Sequence, residues 1–207
     1  MFARMHTGVA SPRPERNADA PYGDADWVAR IRESDRAAFE SLVRHYADRL
    51  CAFVYTTIHD ADATHELVQD VFLWIWRHRH TWEIRGSLTT YLYRSARNRA
   101  VSYSRHARLE RRWREEMSRQ SNLELASVST SHADDDVNAA ELSAAADRAV
   151  RSLPMRCREV FTLNREHNLS YREIAETLEI SVKTVEVHMG RALTVLRRQL
   201  HEWLTTD

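Results

Sequence analysis

The sequence predicts an all-α protein of two small helical domains joined by a flexible linker. Three observations carry this. Only four glycines and four prolines interrupt 207 residues. Apolar residues recur at helical three- and four-residue spacing, with few alternating runs. A Ser-, Asp- and Asn-rich stretch near the middle has no sustained period at all. With 43% apolar residues the chain can build cores, but small ones.

Residues 1–23 hold three of the four prolines and read as a disordered tail. The first domain is expected over 24–114. Trp27, Val28 and Ile31 mark a short helix there, and Asp35 caps a longer one with Phe39, Leu42, Val43, Tyr46, Leu50, Phe53 and Val54 inward. A third helix covers roughly Ala61 to Arg79, followed by a loop at His80–Gly86. Ser87 then caps a fourth helix that runs into an Arg-rich stretch. Residues 115–138 read as an acidic flexible linker. The second domain, 139–204, has Pro154 in the first turn of a helix bearing Val160, Phe161 and Leu163.

The segment Ser170–Arg198 reads as two helices with a tight turn. Ser170 and Glu173 have capping-box spacing, and Ile174, Ala175 and Leu178 form the buried stripe of the first helix. Glu179–Ile180 make the turn, and Ser181 caps the second helix. On that helix Val182, Val185, Met189, Ala192 and Leu196 share one face, while Lys183, Thr184, Val187, Arg191, Thr194 and Arg198 lie opposite. This is the helix-turn-helix pattern, whose second helix reads the DNA major groove. Gly190 sits toward the exposed face, where a missing side chain permits close backbone approach.

A formal net charge of zero hides strong segregation. Eleven arginines fall between Arg77 and Arg114 against only Glu83 and Glu110, whereas 115–147 is acidic. Lys183 is the only lysine, and arginine suits bidentate phosphate contacts. On the third helix Val68, Val71, Phe72 and Ile75 form the buried stripe with Trp74 and Trp76 at its edges. Glu66, Gln69, Asp70, Leu73 and Arg77 lie opposite, an outward Leu ringed by polar groups that suits protein docking. On the fourth helix Arg94, Arg97, Asn98 and Arg105 share a face. With the loop residue Trp82 nearby, that face offers charge for phosphates and a ring for unpaired bases. Tyr91 reads as core and Arg99 as structural.

No apolar run approaches the ~20 residues needed to cross a bilayer, and the N-terminus lacks an apolar signal segment. The expectation is a cytoplasmic protein without membrane insertion, with Cys51 and Cys157 as core thiols in a reducing compartment. Eleven histidines are scattered without HExxH or CxxC spacing. No catalytic residue, metal or cofactor is therefore expected.

Taken together, DATHELVQDVFLWIWRHR, GSLTTYLYRSARNRA and LPMRCREVFTLNREHNLSYREIAETLEISVKTVE resemble regions 2 and 4 of bacterial sigma factors. The missing third region points to the compact extracytoplasmic-function (ECF) group of the sigma-70 family. The resemblance covers about two-thirds of the chain. It implies a subunit that binds bacterial core RNA polymerase and directs it to double-stranded and locally melted promoter DNA, with no active-site chemistry of its own. The third helix would dock on the polymerase through Gln69, Asp70 and Leu73. The fourth helix and its loop, with Trp82, Arg94, Arg97, Asn98 and Arg105, would read the −10 element and hold a flipped-out base. The helix-turn-helix would read the −35 element through Lys183, Thr184, Val187, His188, Arg191 and Arg198. An anti-sigma partner, encoded elsewhere, fits the same family.

The chain departs from the family pattern at three positions. Glu179 stands where a Gly is usual in the turn. Glu186 and His188 stand where basic residues are common, and Glu186 could accept a hydrogen bond from cytosine. The alternative reading is a LuxR-like helix-turn-helix regulator, since VKTVEVH resembles that class too. A phosphoreceiver domain would need alternating strands and helices, and residues 24–114 show none.

Overall fold

The computed structural model describes residues 22–119 and 139–201. Among these residues eight α-helices and one 3-10 turn form, and no strand. The helices are α1 (Asp24–Arg32), α2 (Arg36–Ile58), α3 (Ala61–Arg77), α4 (Leu88–Arg119), α5 (Ala139–Ser152), α6 (Met155–Arg165), α7 (Tyr171–Leu178) and α8 (Val182–Gln199).

Local chemistry sets the helix starts. Asp35 accepts from Ala38 N at 3.0 Å and Asp60 from Ala63 N at 3.0 Å, each satisfying an orphan first-turn donor. Ser87 Oγ accepts from Thr90 N at 3.0 Å, and Asp24 reaches from α1 to accept from Leu88 N at 2.8 Å. At α7 both bonds of the capping box form between Ser170 and Glu173, and Ser181 accepts from Thr184 N at the start of α8. Pro154 is the N-cap of α6. Helix α3 ends at Arg77, and a 3-10 turn, Arg79–Thr81, opens the loop that was expected to begin at His80.

The first half is a bundle of α1–α4. Its interior holds Trp27, Ile31, Leu42, Tyr46, Leu50, Phe53, Val68, Ile75, Leu88 and Leu92, all at most 3% exposed. Tyr46 Oη and Thr89 Oγ1 are 2.9 Å apart inside it, so the buried hydroxyls partner each other. In the second half α7 and α8 form the helix-turn-helix on α6, and α5 closes the far side, with its Ala149 and the following Leu153 against Ala192 and Leu196.

The two halves do not stand apart. Val160, Leu163, Leu169 and Ile174 belong to the same buried cluster as the interior of the first bundle. Polar bonds follow the seam: Arg49 donates to the His167 carbonyl at 3.2 Å and Arg158 to the Thr56 carbonyl at 3.2 Å. His167 is 5% exposed and packs edge-on to Phe53, with Tyr93 5.0 Å away. Helix α4 runs to Arg119, so 115–119, assigned to the linker from composition, is helical. The remainder of that linker, the tail up to residue 21, and 202–204 of the second block lie outside the described residues.

Glu179 adopts φ 56° and ψ 46°, the left-handed conformation that disfavours a side chain. Glu179→Gly is expected to raise the free energy of unfolding by about 0.5–1 kcal/mol, read by urea denaturation.

Burial, with Arg49 adding to it, depresses the His167 pKa from 6.5 to about 4. Unfolding therefore takes up a proton between those values, so this stability is complete above pH 6.5 and falls as pH drops toward 4. Over that window the protein should lose about 3 kcal/mol more than a His167→Leu variant, measured by denaturation at each pH.

Candidate polymerase- and DNA-binding surfaces

Helix α3 presents the face read from its spacing. Val68, Val71, Phe72 and Ile75 point inward, at most 5% exposed, while Gln69, Asp70 and Leu73 are exposed. Leu73 is 38% exposed and Trp74 beside it 42%. Phe39 fixes the inner tryptophan, Trp76, at a ring distance of 4.8 Å, and the Arg79 guanidinium lies 4.6 Å over that indole. Arg99 donates from α4 to the Asp70 carbonyl at 3.2 Å, tying the docking face to the basic helix.

On α4, Arg94, Asn98 and Arg105 are exposed on one side. At 1.5 Å per residue this stripe is about 16 Å long. Two expected members of the surface are not on it. Trp82 is only 2% exposed: the loop folds its indole under α4, with its ring 5.8 Å from that of Tyr91, because so large an apolar group gains more from the core than from water. Arg97 is 6% exposed and turned into the seam, its Nε 3.0 Å from Glu159 Oε1.

Between α3 and α4 a cavity of about 230 Å³ is lined by Val71, Trp74, Tyr91, Ser95, Asn98 and Arg99. Trp74 stacks on His78 at 4.4 Å, which holds the indole in place. Burial raises the Tyr91 pKa, so its hydroxyl remains a neutral hydrogen-bonding group. Sequence reasoning put Tyr91 in the core and Trp74 at a helix edge, and so missed the cavity they wall. The one available signal was the i, i+4, i+7 spacing of Tyr91, Ser95 and Asn98.

The recognition face of α8 forms as spaced. Lys183, Val187, Arg191, Thr194 and Arg198 are exposed, over an inner face of Val185, Met189, Ala192 and Leu196 at most 8% exposed. Thr184 is half-buried, its hydroxyl 2.8 Å from that of Ser181. His188 is also half-buried, with Nδ1 3.7 Å from the Cys157 sulfur, so the ring bridges α8 to α6 as well as bordering the outer face. Burial pushes the Cys157 thiol up in pKa, which keeps it protonated and inert. Val182, expected inward, is 42% exposed because it occupies the first turn, beyond the reach of the core. A Cβ placed on Gly190 would meet nothing within 4 Å, so no packing inside the fold calls for a glycine there.

Among the described residues no group of three or more His, Cys, Asp or Glu could hold a metal ion, and no helix is long and apolar enough to cross a membrane.

Two family models match this chain: sigma-70 region 2 over residues 42–110 and sigma-70 region 4 over residues 143–196. The ECF RNA polymerase sigma factor SigW of Bacillus subtilis is 25% identical over 178 residues, 84% of this chain and 95% of the relative. The ECF RNA polymerase sigma-E factor of Haemophilus influenzae is 28% identical over 182 residues, covering 86% and 95%. Solved structures share the fold. CnrH in complex with the cytosolic domain of CnrY superposes with a TM-score of 0.59 at 22% identity, covering 86% of this chain and 97% of that one. RpoE of Bartonella quintana, with the anti-sigma factor NepR, gives 0.55 at 21%, covering 79% and 96%. Sigma factors are in general non-enzymatic DNA-binding initiation factors. A region 2 bundle followed by a region 4 helix-turn-helix, with relatives aligned along nearly their whole length, makes this chain a sigma factor of the ECF group of the sigma-70 family.

Proposed function

We propose that this sigma factor divides promoter recognition between three surfaces. Gln69, Asp70 and Leu73 on α3 dock on core RNA polymerase. The α4 face and the adjoining cavity take the melted −10 strand, and the outer face of α8 reads the −35 duplex. The observation that carries this reading is the aromatic-walled cavity next to Asn98. A protein that reads only duplex DNA needs a recognition helix, whereas a cavity walled by Trp74 and Tyr91, beside Arg94 and Arg105, suits a base taken out of the stack. The ring faces supply stacking, Asn98 a two-way hydrogen-bonding amide, and the arginines phosphate contacts.

This division leaves the chain without bond-making chemistry of its own, acting in the cytoplasm. Buried as they are, Arg97 and Trp82 drop out of the direct contacts to DNA, Trp82 serving as the floor beneath Tyr91. On α8, Lys183, Arg191 and Arg198 supply charge, while Thr184, Val187 and His188 give it shape. Glu186, exposed on the same helix, is set to accept from a cytosine amino group. A protein antagonist of the anti-sigma type is a further expectation, since the Bartonella quintana neighbour was solved with one.

The direct test is to add the purified chain to bacterial core RNA polymerase and map transcription on genomic DNA. Discrete new start sites preceded by a shared pair of motifs are expected. Stable DNA binding without any gain in initiation would favour the LuxR-like regulator instead.

Two substitutions separate the surfaces. Leu73→Asp should weaken core polymerase binding by about 2 kcal/mol or more, measured by labelled-polymerase titration, with helicity unchanged. Arg191→Ala should cost about 1–3 kcal/mol at the −35 element if the guanidinium contacts a base, measured by DNA titration. An equal loss on all sequences would assign it to phosphate.

A further inference from the structure

Arg99 follows Asn98 on α4 and is half-buried in the wall of the aromatic cavity. Its Nη2 donates to the Asp70 carbonyl of α3 at 3.2 Å, which accounts for the structural role read from the sequence. That bond also fixes the guanidinium at the cavity edge. Among the described residues the Asp70 carbonyl is the one hydrogen-bond acceptor that Arg99 has, and its Nε is buried without a partner. A guanidinium carries five N–H donors and keeps its charge, so a demand for acceptor oxygens is left unmet there. The neutral polar lining makes no such demand. The hydroxyls of Tyr91 and Ser95 and the amide of Asn98 can each donate or accept, so they suit any base edge. Arg99, the charged member of the lining, can only donate.

We infer that Arg99 determines which base the cavity takes, admitting a base with a carbonyl oxygen and rejecting adenine. Cytosine, thymine and guanine each carry an exocyclic oxygen that can accept a charge-assisted hydrogen bond from the guanidinium. Adenine has none. Its exocyclic group is an amino donor that flanks both N1 and N7, so a guanidinium facing either nitrogen meets donor against donor. A site built around a donor discriminates sharply against a base that cannot accept, because the donor is then left without its partner away from water. Stacking on Trp74 and Tyr91 gives affinity for any base, since every base has a π face, and the cation supplies the choice. The inference rests on the assignment of this cavity to a base of the melted −10 strand.

The test uses the holoenzyme assembled from the full chain and bacterial core RNA polymerase, on a promoter found by mapping its transcripts. Templates premelted over the −10 element remove the contribution of base pairing, and each non-template position there is set in turn to the four bases. The expected result is a position at which adenine lowers initiation about tenfold or more relative to cytosine, thymine and guanine. Hypoxanthine, which puts a carbonyl where adenine has its amino group, should restore initiation at that position. Arg99→Met should bring the three carbonyl bases down to the adenine level. The absence of any such position, equal initiation with adenine and hypoxanthine, or an equal loss with all four bases in Arg99→Met each overturns the proposal. If Arg99→Met loses helicity by circular dichroism, the hypoxanthine comparison in the unmodified protein decides. Trp74→Ala, from a position 42% exposed, should lower initiation with every base while core polymerase binding holds. Unchanged initiation in Trp74→Ala overturns the cavity assignment itself, whereas a failed base choice with Trp74→Ala impaired overturns the role of Arg99 alone.

Discussion

One helix has to meet three demands around its circumference, and the architecture follows from how α4 meets them. Its inner stripe, Leu88, Leu92, Ala96 and Ala100, is at most 1% exposed and holds α4 in the first bundle. The two alanines let neighbouring helices approach closely, so the interface has little slack. A second side, with Arg97 buried in the seam, meets α6 and α7. The third is left to water and carries Arg94, Asn98 and Arg105. A long helix can hold all three because its residues are fixed at known angles to one another, so core packing on one side determines where the others point.

Electrostatics is organised by position rather than by total. Thirty basic and thirty acidic residues cancel, yet arginines concentrate on the helix assigned to DNA, while Glu159 and Glu176 approach it from the other half. Such a chain can present a basic face to phosphate without carrying excess positive charge overall. The buried pair adds directionality, because a guanidinium and a carboxylate meet well in few geometries, whereas the apolar contacts of Val160, Leu163 and Ile174 tolerate sliding.

The helix-turn-helix achieves rigidity by a different route. Side-chain caps start both of its helices, and a left-handed residue joins them, leaving the turn few alternatives. Below the reading face, Val185, Met189, Ala192 and Leu196 lock α8 onto its supports, and His188 touches Cys157. Rigid support matters because a base-edge contact is discriminating only when its donor is held in place before DNA arrives.

Periodicity and caps were enough to read the helices, the outward Leu73, the exposed Arg94, Asn98 and Arg105, and the face of α8, because each depends on residues close in sequence. Asp35, Ser170, Ser181 and Glu179 behave as read for the same reason. What tertiary structure decided are the pairings across distance. Nothing local marks Glu159 as the partner of Arg97, 62 positions away, or sends Trp82 beneath Tyr91 rather than toward DNA. Nor does it bring Trp74 and Tyr91, on different helices, to opposite walls of one cavity. A helix repeat says which residues share a face. Which other helix covers that face depends on long-range packing, where shape and charge from separate segments meet, and only the folded chain holds that information.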